Sequence, residues 1–119
     1  MSKGFLHHIE LYFSNLKRSI DFWGWFLDEL GYEPFQEWES GRSWRMGEMY
    51  MVFVQAETRF LDIPYHRGRV GLNHLAFHAA SRQQVDEITR KLRSRGVTSF
   101  MPTSIQAGRV IMPSKIPIG

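Results

Sequence analysis

The feature that most constrains this chain is that it lays down the same order of pieces twice. A strand-like alternation beginning at His8 runs into a helical stretch that closes on Gly31, and a second alternation beginning at His74 runs into another that closes on Gly96. The two histidines stand 66 residues apart. In the helices the spacing is 65: Ile20-Asp21 answers Val85-Asp86, Leu27 answers Leu92, and Gly31-Tyr32 answers Gly96-Val97. Few residues are identical, so the repeat lies in the order of features. Such a unit buries one face of its helix against a sheet, and two units share that work. A length of 119 residues suits one pair of this size and nothing larger.

Within the first unit, "GFLHHIELYF" (4–13) alternates, with His7, Ile9, Leu11 and Phe13 on one face and His8, Glu10 and Tyr12 on the other. The first face is apolar enough to meet a helix; the second suits a wet cavity. The spacing predicts a helix over 14–31, capped by Ser14 or Asn15, with Ile20, Trp23, Leu27 and Leu30 as its buried stripe and Gly31 as its C-cap. Three strands are expected next, at 32–38, 42–47 and 49–56, with a hairpin turn at 39–41. Residues 57–71 read as a long connection. The second unit predicts a strand over 72–80, placing His74, Ala76 and His78 opposite Leu75, Phe77 and Ala79. A helix over 81–96 follows, with Val85, Ile88 and Leu92 buried.

Composition narrows the class. There are no cysteines, which excludes disulfides and cysteine-ligated zinc or iron–sulfur centres and agrees with a cytoplasmic protein. The first residues show no signal-peptide pattern, and no apolar run approaches the roughly 18 residues of a membrane span. The net charge of +3 is modest and its basic residues are scattered, apart from "TRKLRSR" (89–95) on a helix face, so neither a nucleic acid nor a membrane is expected as a partner.

The strand-initial histidines, the Ser-Ile-Asp-Phe helix start (19–22), Leu-Gly-Tyr (30–32) and "GLNHLAF" (71–77) closely resemble the two halves of the vicinal-oxygen-chelate superfamily over residues 5–98. That group includes glyoxalase I, extradiol dioxygenases, fosfomycin-resistance enzymes and bleomycin-resistance proteins. The resemblance implies an α+β fold of paired βαβββ modules curled around a cavity, the second module incomplete here. It divides a single domain, 1–119, into module one at 4–58, a linker at 59–70 and module two at 71–119. It also implies a divalent metal held by histidines matching His8 and His74 and by a glutamate from the last strand of module two. A homodimer handling a small molecule is the expected assembly.

Two imidazoles and one carboxylate leave open positions on an octahedral ion, which two neighbouring substrate oxygens can fill. The ion then serves as a Lewis acid. Imidazole suits Fe, Mn, Ni, Co or Zn, so the residues do not name the metal. His7 is expected to point away from His8. Glu10, Tyr12, Gln55 and His78 are the expected substrate contacts, with Glu10, Tyr12 and His78 as proton-handling groups. Arg67 could clamp an anion. The first-module carboxylate of glyoxalase I is absent, since Val52, Phe53 and Val54 fill the middle of that strand. No catalytic residue is assigned. The expected activity is a metal-dependent lyase, isomerase or dioxygenase reaction on a small oxygenated molecule. The alternative is a metal-free binding protein of the bleomycin-resistance kind.

The last stretch, "SIQAGRVIMPSKIPIG", stands where the closing strand and the glutamate ligand belong, yet no Asp or Glu follows Glu87. Methionine has only the codon ATG, and proline codons begin CC. Read one base earlier, Phe100-Met101-Pro102 yields Tyr or His followed by Ala, and Ile111-Met112-Pro113 yields Tyr, His or Asn followed by Ala. With permitted codons between, Met101 to Ser114 becomes Tyr-Ala-Asp-Lys-His-Pro-Ser-Gly-Pro-Gly-His-Tyr-Ala-Val, which resembles the missing segment of the superfamily. The tail therefore reads as a shifted frame of that segment. A chain lacking this closing strand exposes a sheet edge, which a second copy is expected to cover.

Overall fold

The computed structural model describes residues 3–96 and, for the backbone, Val110–Ile111. Its element order is β1 (His8–Phe13), α1 (Leu16–Leu30), β2 (Glu33–Trp38), β3 (Gly41–Met46), β4 (Met49–Gln55), a 3₁₀ turn (Thr58–Phe60), β5 (Phe77–His78), α2 (Arg82–Ser94) and β6 (Val110–Ile111). The fold class is α+β, as expected. Two compact units divide the chain, one running through Tyr65 and the other beginning at His66. That division falls inside the 57–71 connection. Among the described residues no helix is long and apolar enough to cross a membrane.

The first unit is a complete βαβββ module. Its sheet order is β1-β4-β3-β2. β1 runs parallel to β4, with His8 opposite Tyr50, Glu10 opposite Val52 and Tyr12 opposite Val54. The other pairs are antiparallel hairpin neighbours. Alternation along β1 sorts its side chains as expected: Leu11 and Phe13 are buried, while His8, Glu10 and Tyr12 are exposed. Phe13, Trp23 and Phe53 are fully buried and pack together, with ring centroids 4.9 Å apart for Phe13–Phe53 and 5.2 Å for Trp23–Phe53. Burying a side chain of this size contributes about 1.5–3 kcal/mol. This aromatic cluster holds α1 against the sheet.

The buried stripe of α1 differs from the expected one. Leu16, Ser19, Phe22, Trp23, Phe26 and Leu27 are buried, while Ile20 and Leu30 lie at the margins. Phe22, Trp23, Trp25 and Phe26 widen the apolar arc, so spacing alone does not single out its centre. The caps match: the Asn15 side chain accepts from the Arg18 amide at 3.1 Å, and Gly31 takes the left-handed conformation (φ 96°) that closes the helix.

β2 is an edge strand with all six residues exposed. Pro34, which has no N–H to offer a ladder, is tolerated there. A bulge shifts the β2–β3 register between Pro34 and Glu37, and the buried Ser43 hydroxyl accepts from the Gln36 amide at 3.0 Å. Gly41 opens β3 because the Trp38 ring lies against it; any Cβ there would collide with that ring.

In the second unit, Ser81 caps α2 by accepting from the Gln84 amide at 3.1 Å, and the Gln84 Oε1 accepts from the Ala80 amide just before the cap. Val85, Ile88 and Leu92 are the buried stripe, as the spacing predicts. Of the expected strand over 72–80, the ladder among the described residues is Phe77–His78, antiparallel to Val110–Ile111. Phe77 and Ala79 are buried and His78 exposed, so the alternation is real. The remainder of the tail, apart from the backbone at Val110–Ile111, lies outside the described residues, and so does the shifted-frame reading.

Candidate functional site

The exposed face of β1 carries the polar groups. His8 stacks flat on Tyr50, its cross-strand neighbour on β4, with centroids 4.8 Å apart and planes within 4°. Tyr50 also meets Phe35 at 5.3 Å, and the Arg45 guanidinium lies 4.8 Å above the Phe35 ring. His7 does not turn away from His8. Its Nδ1 lies 2.9 Å from the His8 Nδ1, and its ring stands edge-on to both His8 and Tyr50. The expectation fails because His7 precedes the first ladder pair, so the strict alternation of a strand does not apply to it.

Farther along the same face, the neighbouring Glu10 carboxylate, by hydrogen bonding first and by charge second, pushes Tyr12 above its ordinary value of 10.0. Tyr12 is thereby held in its protonated form, with Glu10 as its acceptor. Tyr12 also borders a groove of about 470 Å³ with Phe13, Phe60, Leu61 and Tyr65.

Gln55 has a different task from the one expected. Its Oε1 accepts from the Leu16 amide at 2.8 Å, and its Nε2 donates to the Ser14 and Ala56 carbonyls at 2.9 and 3.1 Å. The carboxamide is committed to tying the start of α1 to the end of β4. It lines an open cleft of about 960 Å³ beside Lys17, Trp38 and Arg42, but with its amide hydrogens already engaged. Sequence reasoning could have found this role only from the pairing of β4 with β1, which brings position 55 beside Phe13.

In the second unit His74 is exposed and precedes the ladder. Its Nδ1 lies 2.8 Å from Asn73 Oδ1, while Asn73 Nδ2 donates to the Arg67 carbonyl at 2.9 Å. His78 is exposed on β5. His8, Glu10 and Tyr12 thus share one face of the first unit, and His74 and His78 lie in the second.

A curated relative, YqjT of Bacillus subtilis strain 168, itself described as uncharacterised, is 59% identical over 91 residues, covering 76% of this chain and 71% of that protein. A crystal structure of a Bacillus halodurans protein, provisionally called a glyoxalase, is 54% identical, covers 82% of this chain and 74% of that one, and superposes with a TM-score of 0.79. The chain belongs to the vicinal-oxygen-chelate superfamily. FosX, the fosfomycin-resistance protein of Listeria monocytogenes, solved with Mn(II) and sulfate, shares its fold at 20% identity and a TM-score of 0.54, covering 86% of this chain and 70% of that one. No protein-family profile matches the chain.

Two exposed imidazoles fit a divalent ion in kind. They fall short in number, because among the described residues no three His, Asp or Glu side chains gather into a group able to hold an ion.

Proposed function

We propose that the exposed face of β1 receives a small oxygenated molecule, with His8 and His74 as imidazole donors to a divalent ion. The observation that supports this reading most directly is His8 itself, exposed at the head of a polar face and braced by Tyr50 at 4.8 Å. The Mn(II) bound to FosX supports a divalent ion within this fold. When bound, such an ion supplies a Lewis acid for an oxygen of the ligand. The chain's own residues do the rest: the Glu10 carboxylate, partnered by the Tyr12 phenol, takes up a proton, and His78 is a further ligand contact. The reaction is of the lyase, isomerase or dioxygenase type. The protein works in the cytoplasm as a homodimer.

Metal analysis and Mn(II) titration of the purified protein test the reading. One ion per chain is expected, with loss of binding in both His8→Ala and His74→Ala. Binding that ignores both substitutions, or no binding at all, refutes the metal reading and leaves a metal-free binding protein.

A further inference from the structure

His8 and His74 each have Nδ1 engaged by the side chain immediately before them. In the first unit His7 Nδ1 lies 2.9 Å from His8 Nδ1; in the second, Asn73 Oδ1 lies 2.8 Å from His74 Nδ1. His7 and Asn73 are equivalent positions of the 66-residue repeat, though the residue types differ. Neither contact follows from strand alternation, since His7 and Asn73 both lie before the first residue of their strands.

The Asn73 contact has a defined direction. The Asn73 carboxamide cannot be turned over, because its Nδ2 must donate to the Arg67 carbonyl at 2.9 Å. Its Oδ1 can only accept, so the proton in the contact sits on His74 Nδ1. A neutral His74 is then bare at Nε2. The His7–His8 contact is symmetric in its atoms, but two bare nitrogens repel at 2.9 Å and two protonated ones cannot face each other. One ring must donate, and the repeat indicates which.

The geometry points to His7 and Asn73 as a pair of positioning residues that hold His8 and His74 as Nδ1–H tautomers and leave the Nε2 lone pair of each for a ligand. A free neutral imidazole favours the opposite tautomer, with its proton on Nε2, so this preference must be imposed. A hydrogen bond from the distal ring nitrogen both selects the donor atom and fixes the ring plane. On His8 the Tyr50 stack supplies a second restraint on that plane. This assignment rests on the proposed role of the two histidines as donors, yet it concerns the metal-free protein and can be read without any ion.

The test is a long-range proton–nitrogen NMR spectrum of the full chain labelled with nitrogen-15 histidine, metal-free, at a pH of about 8, where imidazole is neutral. His8 and His74 should report Nδ1–H, and His7 should report Nε2–H. Asn73→Ala should return His74 to Nε2–H without touching His8, and His7→Ala should do the reverse. His7→Asn, which copies the second unit, should keep His8 as Nδ1–H. Mn(II) affinity should fall about 10–100-fold in each alanine variant and recover in His7→Asn. An Nε2–H signal from His8 or His74 in the unaltered protein overturns the assignment, as do tautomers indifferent to the alanine substitutions. If the tautomers behave as stated while Mn(II) does not bind, the positioning role stands and the metal reading of the function falls.

Discussion

Gln55→Leu separates a structural role from a ligand-binding one. The substitution keeps the size of the side chain and removes three hydrogen bonds: one from the first amide of α1 and two to the Ser14 and Ala56 carbonyls. Loss of a helix-start acceptor costs about 1 kcal/mol, and each of the other two bonds adds roughly 0.5–1 kcal/mol at a half-buried site. The sum is about 2–3 kcal/mol. With a urea slope of about 1–2 kcal/mol per molar for a domain of this size, the midpoint should drop by roughly 1–3 M while the slope stays constant. Gln55→Glu is the internal control. It keeps an acceptor for the Leu16 amide and adds a favourable charge at the helix start, but it sets a carboxylate against two carbonyls, so its midpoint should fall between the other two. A Gln55→Leu protein with an unchanged midpoint and impaired ligand binding would refute the clamp and restore Gln55 as a ligand contact.

Gly31→Ala should destabilise the protein by about 1 kcal/mol, visible as a thermal midpoint several degrees lower, because a Cβ is strained at φ 96°; an unchanged midpoint would mean the cap contributes nothing. Burial pushes the Tyr32 phenol above its ordinary 10.0. The native state then holds that proton at pH values where the unfolded chain has lost it, so stability is complete below about pH 10 and falls as pH rises beyond it. Tyr32→Phe should flatten this alkaline decline in urea titrations, and an equal decline in both proteins would assign it to other groups. Sequencing the source DNA tests the reading of the tail: a one-base shift near Phe100 should open a frame with an acidic turn and a glutamate-bearing strand, and a frame without them ends that idea.

The sequence made the first module legible because its signals are local. Asn15 and Gly31 cap α1 through their own side-chain and backbone geometry, and Leu11, Phe13, His8 and Glu10 sort by alternation alone. What it concealed depends on neighbours distant in the chain. The true centre of the α1 stripe is set by Phe13 and Phe53 on the sheet, not by the helix's own spacing. Gln55 looked like a polar residue facing a cavity until the β1–β4 pairing put Ser14 and Leu16 beside it. Of the candidate site, the two histidines and the Glu10–Tyr12 face were readable, whereas the contacts of His7 and Asn73 were not. No periodicity governs a residue that stands just outside a strand.

The parallel pairing of β1 with β4 also sets an order of assembly. β2, β3 and β4 meet their partners through short hairpins, whereas β1 can reach β4 only after the whole span from Phe13 to Met49 has closed. Loop closure of that length delays a contact relative to hairpins. β1 should therefore dock last during folding and detach first during partial opening. Mutations along the β1–β4 seam would then act mainly on the unfolding rate. His8 and Phe13 both ride on that strand, so an opening that frees β1 would release the ligand's anchor and uncover the Phe13–Phe53 contact in one step.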